Sequence, residues 1–87
     1  MDLTRELHES ISRICEIPLD VVSDDATLEA LGVDSLASAE IMTDMEIRVG
    51  RDLPVDALRR LAGARTVGDV STVLQQSFGE LGERPLS

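Results

Sequence analysis

Three stretches of this 87-residue chain carry apolar side chains at intervals of three and four, and each runs into a proline or a glycine. That pairing of period and punctuation marks amphipathic helices with defined ends. In the first, over residues 2–17, Leu3, Leu7, Ile11 and Ile14 share one face. Asp2 or Thr4 suits its cap, Glu6 sits in the first turn where the helix dipole favours negative charge, and Pro18 stops it. In the second, over residues 35–49, Ile41, Met45 and Val49 repeat at four and Met42 widens the stripe. Asp34 or Ser35 caps its start and Gly50 ends it. The last begins at Thr66, has Asp69 in a near capping-box position, and runs through Val67, Val70, Leu74 and Phe78 to Gly79.

Between the second and last stretches, Leu53-Pro54 opens a short third helix, with Val55, Leu58 and Leu61 expected inward. Residues 18–34 keep no period. Leu19, Val21, Val22, Leu28 and Leu31 are scattered among polar residues there, which predicts a long loop laying apolar anchors over the core. Residues 27–31 suit one short helical turn ended by Gly32. The expected fold is all-α: a four-helix bundle with a long loop between helices 1 and 2 and a short helix 3. Residues 1–80 make one domain on this reading, and residues 81–87 a flexible tail.

Composition removes several function classes. Phe78 is the one aromatic residue, so the core must be aliphatic, which suits helices better than sheets. Seventeen acidic residues face eight basic ones, all arginine, for a net charge of −9. Nucleic acid and anionic membrane are therefore not expected partners. Self-repulsion favours a monomer, and basic patches on other proteins attract it. No run reaches transmembrane length, and the start is too charged for a secretory leader. One cysteine and one histidine make neither an internal disulfide nor a zinc site, and a cytoplasmic location follows. Cys15 reads as a small buried hydrophobe, and His8 as exposed and without a role.

A catalytic serine is not expected. Ser35 lacks glycines two positions to either side, where Val33 and Ala37 stand, and His8 belongs to another helix. No calcium-loop spacing is present around residues 23–25. A serine at a helix start does suit a phosphate ester, because unpaired N–H groups and the positive dipole end lie there. The second helix also has a second stripe, opposite the first: Leu36, Glu40, Thr43 and Ile47. Apolar residues flanked by the carboxylates of Glu40, Asp44 and Glu46 suggest a docking surface.

Leu31-Gly32-Val33-Asp34-Ser35-Leu36 resembles the phosphopantetheine-attachment motif of acyl carrier proteins. The Asp-Ala-Thr-Leu stretch at residues 25–28, Asp52-Leu53-Pro54, and the Thr66-Val67-Gly68-Asp69-Val70 helix start follow in that family's order, so the resemblance spans residues 3–78. It implies that Ser35 bears 4′-phosphopantetheine, taken from coenzyme A by a phosphopantetheinyl transferase, and that Asp34 assists its installation. It implies that Leu36, Glu40 and Glu46 meet partner enzymes, with Thr43 and Ile47 on the same stripe. Those partners would be acyl-loading, condensing and tailoring enzymes with basic patches. The chain would be a free-standing, non-catalytic carrier of acyl thioesters.

Ile47 departs from the acidic residue of many fatty-acid carriers. The basic third-helix region, Arg59-Arg60-Leu61-Ala62-Gly63-Ala64-Arg65, looks more like carriers of polyketide or nonribosomal-peptide pathways. Val33-Asp34 favours acyl over aminoacyl cargo. The alternatives are an aminoacyl or peptidyl carrier, and an unmodified helical interaction module in which Ser35 only caps a helix.

Overall fold

The computed structural model describes residues 2–79. The expected tail, residues 81–87, lies outside them. Four α-helices follow in order: α1 (Leu3–Cys15), α2 (Ser35–Val49), α3 (Val55–Leu61) and α4 (Val67–Leu74). A 3₁₀ turn at Leu19–Val21 interrupts the long loop, and a π-helical turn at Gln75–Gly79 continues α4. The helical bundle with one long loop and a short third helix agrees with the pattern of the sequence.

The ends of the helices follow local chemistry. The Asp2 carboxylate accepts the Arg5 N–H at 3.2 Å and caps α1. The helix stops at Cys15 rather than reaching Pro18, because Glu16 turns left-handed at φ 57°. That conformation costs a non-glycine residue about 1–2 kcal/mol. Bonds across the turn offset it: the Ser12 carbonyl accepts the N–H groups of Glu16 and Ile17, and the Ser12 hydroxyl donates to the Ile17 carbonyl at 2.6 Å. At α4 the capping box is complete. Asp69 accepts the Thr66 N–H, and the Thr66 hydroxyl accepts the Asp69 N–H.

The core is aliphatic apart from Phe78. Leu7 and Ile11 of α1, Ile41 and Met45 of α2, Ala57 of α3, and Val67, Val70, Val73 and Leu74 of α4 are buried with it. Two expectations need correction. Val55 and Leu58 do not face inward: they are 70% and 44% exposed. The inward edge is Leu53 and Ala57, with Leu61 half-buried, one turn apart. Of the loop residues expected as anchors, Val22 is buried and Leu28 and Leu31 pack partly, whereas Leu19 and Val21 are exposed.

The long loop is stapled to the start of α4 through backbone. Leu28 N–H donates to the Arg65 carbonyl at 2.9 Å, Val67 N–H to Ala26 at 3.0 Å, and Gly68 N–H to Asp24 at 2.9 Å. A methyl group on Gly68 would stand 3.1 Å from that Asp24 oxygen, so the close approach favours glycine. His8 is not silent. Its Nε2 lies 2.9 Å from Asp24 Oδ1 and ties the same loop to α1.

Charges cement α1 to α2. Arg48 reaches Glu6 at 2.8 Å and Glu9 at 3.3 Å across the interface, and its Nε contacts Asp44 at 2.9 Å. Arg13 adds a 3.0 Å contact to Asp44. Burial alone would raise the Asp44 carboxyl. Contacts from Ser10, Arg13 and Arg48 outweigh it and hold the group below the usual carboxylate range. Of these, the wholly buried Ser10 hydroxyl meets no partner at full hydrogen-bond geometry, so the two arginines dominate.

Candidate functional site

Ser35 is the first residue of α2 and is exposed. Asp34, not Ser35, is the cap: its Oδ1 accepts the Ala37 N–H at 2.8 Å. The Ser35 hydroxyl is therefore not required for capping and faces outward at the positive end of a fifteen-residue helix. Its approach is fixed. The Thr27 hydroxyl accepts the Ala30 N–H, Gly32 takes φ +82°, and Val33 N–H returns to the Leu28 carbonyl at 2.9 Å. The staple to α4 thus positions the serine through a short hydrogen-bonded turn. That turn is where the sequence expected one, though too irregular to count as helix.

Beside Ser35 a shallow groove runs between α2 and α3, lined by Ser38, Ala39, Met42, Leu58 and Leu61. Sequence reasoning missed Leu58 here, because it assigned that side chain to the core. Among the described residues, no hydrogen bond joins Ser35 to a base. His8 is taken by Asp24, and Cys15 is not activated: burial pushes its thiol up, and the Asp34 and Glu40 carboxylates add to the rise.

The outer face of α2 carries the second stripe. Leu36 and Ile47 are 71% and 73% exposed, and Glu40 and Thr43 between them are exposed too. The flanking carboxylates behave differently from the expectation. Asp44 is only 17% exposed and is held by the two arginines, so it belongs to the α1 interface. Glu46 is half-buried, and its Oε2 accepts the Leu53 N–H at 2.6 Å. Among the described residues, Glu40 makes no ion pair. No helix among them is long and apolar enough to cross a membrane.

Comparison with known proteins finds similarity over most of the chain. The family described as "Phosphopantetheine attachment site" matches residues 5–74. An acyl carrier protein of Rhodococcus erythropolis is 31% identical over 91% of the chain and 85% of its own length. The meromycolate extension acyl carrier protein of Mycobacterium leprae is 34% identical over 87% of the chain and 69% of its own length. A non-reducing polyketide synthase of Emericella nidulans is 27% identical over 77% of the chain, and the chain spans 3% of that protein.

Proposed function

The chain belongs to the acyl carrier protein family, whose members hold a covalent phosphopantetheine and are not themselves catalysts, and we propose that Ser35 is the attachment residue and that the cargo is of polyketide type. The observation that carries the assignment of Ser35 is its outward position at the start of α2, with the neighbouring Asp34 taking over the cap. The free hydroxyl, the helix N-terminus and the adjacent α2–α3 groove all fit a phosphodiester-linked arm. When bound, 4′-phosphopantetheine supplies the thiol that holds an acyl group as a thioester.

The chain's own residues present and release. Asp34 holds the first turn of α2 in place beneath the serine. Leu36, Glu40, Thr43 and Ile47 form the docking face for a phosphopantetheinyl transferase and for acyl-loading, condensing and tailoring enzymes with basic patches. Glu46 borders that face and meets partners with it, while one of its carboxylate oxygens fixes the α2–α3 connection. Contacts of this size and charge are weak and electrostatically steered, which suits a carrier that must leave each enzyme. The similarity to polyketide synthases and the apolar Ile47 support the choice of cargo class. A cytoplasmic monomer is part of this reading, supported by one unpaired cysteine and a net charge of −9.

Intact mass after incubation with coenzyme A and a broad-specificity phosphopantetheinyl transferase tests the assignment. One added phosphopantetheine, absent in Ser35→Ala, is the expected result. A folded protein that gains nothing from an active transferase sinks it. Loading assays with malonyl and aminoacyl donors then test the cargo class, and preference for an aminoacyl donor would overturn the polyketide reading.

A further inference from the structure

The arginines divide into two groups. Arg5, Arg13 and Arg48 each pair with a carboxylate, within α1 or between α1 and α2. Arg51, Arg59, Arg60 and Arg65 are exposed, and among the described residues none of them pairs with one. Carboxylates are not scarce, since the chain has seventeen acidic residues, but residues 51–65 hold four arginines against two aspartates. Asp56 stands four residues before Arg60, the spacing that suits a helical ion pair, yet Arg60 donates to the Gln76 side chain instead. Asp69 is committed to the backbone N–H groups of Arg65 and Thr66.

The helix dipole accounts for part of this basic cluster. Arg59 and Arg60 lie in the last turn of α3, at its negative end. Arg65 has no such reason, because it directly precedes Thr66, the cap of α4, at that helix's positive end. Gly63 N–H donates to the Arg60 carbonyl and Ala64 N–H to the Leu61 carbonyl, both at 3.1 Å. The connection therefore folds over the end of α3 and keeps Arg65 at that end. Beside these charges α3 exposes apolar side chains. Ala57 turns into the core, whereas Val55, Leu58 and Arg59, spaced by three and four, share the outer side. The Arg60 edge of this surface turns to α4 at Gln76, and the Leu58 edge borders the groove to α2.

The chemistry of the surface selects its occupant. Guanidinium forks match carboxylates two oxygens at a time. Val55 and Leu58 beside them favour a partner that also brings an apolar side chain. Nucleic acid calls for stacking platforms or a wide basic field, and here Phe78, the one aromatic residue, is buried on a chain of net charge −9. The same charge repels an anionic bilayer, and a second copy would bring its own −9 against it. We infer that the outer face of α3, together with Arg65, docks an acidic segment of a partner protein in which carboxylates flank a large apolar side chain. This surface is opposite in sign to the Glu40 stripe of α2 and does not depend on the assignment of Ser35. A protein held at α3 leaves α2 open, so one protein retains the chain while another acts on it.

The test uses the full chain, isotope-labelled, titrated with a short synthetic peptide of glutamates around leucines and with a control in which the glutamates are glutamines. Saturable amide shifts centred on residues 55–65 are expected with the first and not with the control. Arg59→Gln combined with Arg60→Gln introduces no new charge and should weaken binding by about tenfold. Val55→Ser should weaken it by about threefold, and added salt should weaken it too. No saturable shift, shifts centred on α2, equal binding of the control, or unchanged binding in the arginine double variant overturns the inference. So does tighter binding of duplex DNA or of phosphatidylserine vesicles through the same arginines, or a dimer in sedimentation that the double variant breaks, since each names another occupant. Intact-mass loading with coenzyme A and a phosphopantetheinyl transferase, run with the peptide at saturation, checks that the two faces are separate. An unchanged rate is expected, and a rate that falls with occupancy overturns the separation. A chain that never loads loses Ser35 as an attachment site, while the amide shifts still decide the α3 surface.

Discussion

The Glu46 carboxylate accepts the Leu53 backbone N–H at 2.6 Å, so the last turn of α2 dictates where α3 begins. Leu53 is buried, and its amide has that side chain as its partner. Glu46→Ala should therefore cost about 1–3 kcal/mol, the usual penalty for an orphaned amide. Glu46→Gln keeps an acceptor and should cost less. Glu40→Ala, on the exposed face, should stay within about 0.5 kcal/mol of the parent. Urea denaturation of the three variants measures the contrast, and equal losses at Glu40 and Glu46 would contradict it.

Capping and loading should separate at adjacent positions. Asp34→Ala removes the bond to the Ala37 N–H and should cost about 1 kcal/mol. Ser35→Ala removes no capping bond and should shift stability by less than about 0.5 kcal/mol while eliminating loading. Thermal melts and intact masses of both variants provide the comparison.

Asp44 should give the protein an acid limb. Its carboxyl lies below the ordinary range in the folded state, so between the two values the unfolded chain binds more protons. The stabilisation is complete above about pH 4, the unfolded value, and is lost as pH falls through the folded one. Asp44→Asn should flatten that part of the stability profile. Urea midpoints taken between about pH 6 and pH 2 test this, and an unchanged slope would remove Asp44 as the cause.

The register of α3 can be checked by exchanging sensitivity between neighbours. Val55 is exposed, so Val55→Ser should be nearly neutral. Ala57 is buried, so Ala57→Leu should overpack the core by about 1–3 kcal/mol. The opposite ranking would restore the inward face first expected from the sequence.

What the sequence disclosed depends on how many constraints converged at each place. The bounds of α2 were legible because Asp34 and Gly50 frame an unbroken stripe of Ile41, Met45 and Val49. The capping box at Thr66 was legible for the same reason. In α3 two helical readings competed. Val55, Leu58 and Leu61 are spaced by three, whereas Leu53, Ala57 and Leu61 are spaced by four, and alanine attracts less notice than valine. Only packing against α4 decides between them. Bonds between distant parts of the chain, such as His8 to Asp24 or Asp24 to Gly68, leave no periodic trace. The exposed face of α2 was legible as a stripe. That Asp44 is tied to α1 and Glu46 to the start of α3 was not, because Arg13 and Leu53 lie outside the helix; the contact of Asp44 with Arg48 is the one that i,i+4 spacing allows.

The staple between residues 24–28 and 65–68 also orders events in time. Contacts so far apart in the chain close slowly compared with the winding of a helix. During synthesis the segment bearing Ser35 emerges well before α4, and α1 and α2 can pair while the loop still lacks its anchor. On the role proposed for Ser35, the shape offered to a modifying enzyme is completed only when the final helix arrives. Newly made chains should pass through a brief interval in which they are helical yet unmodifiable, which refolding followed by loading at short delays would register as a lag.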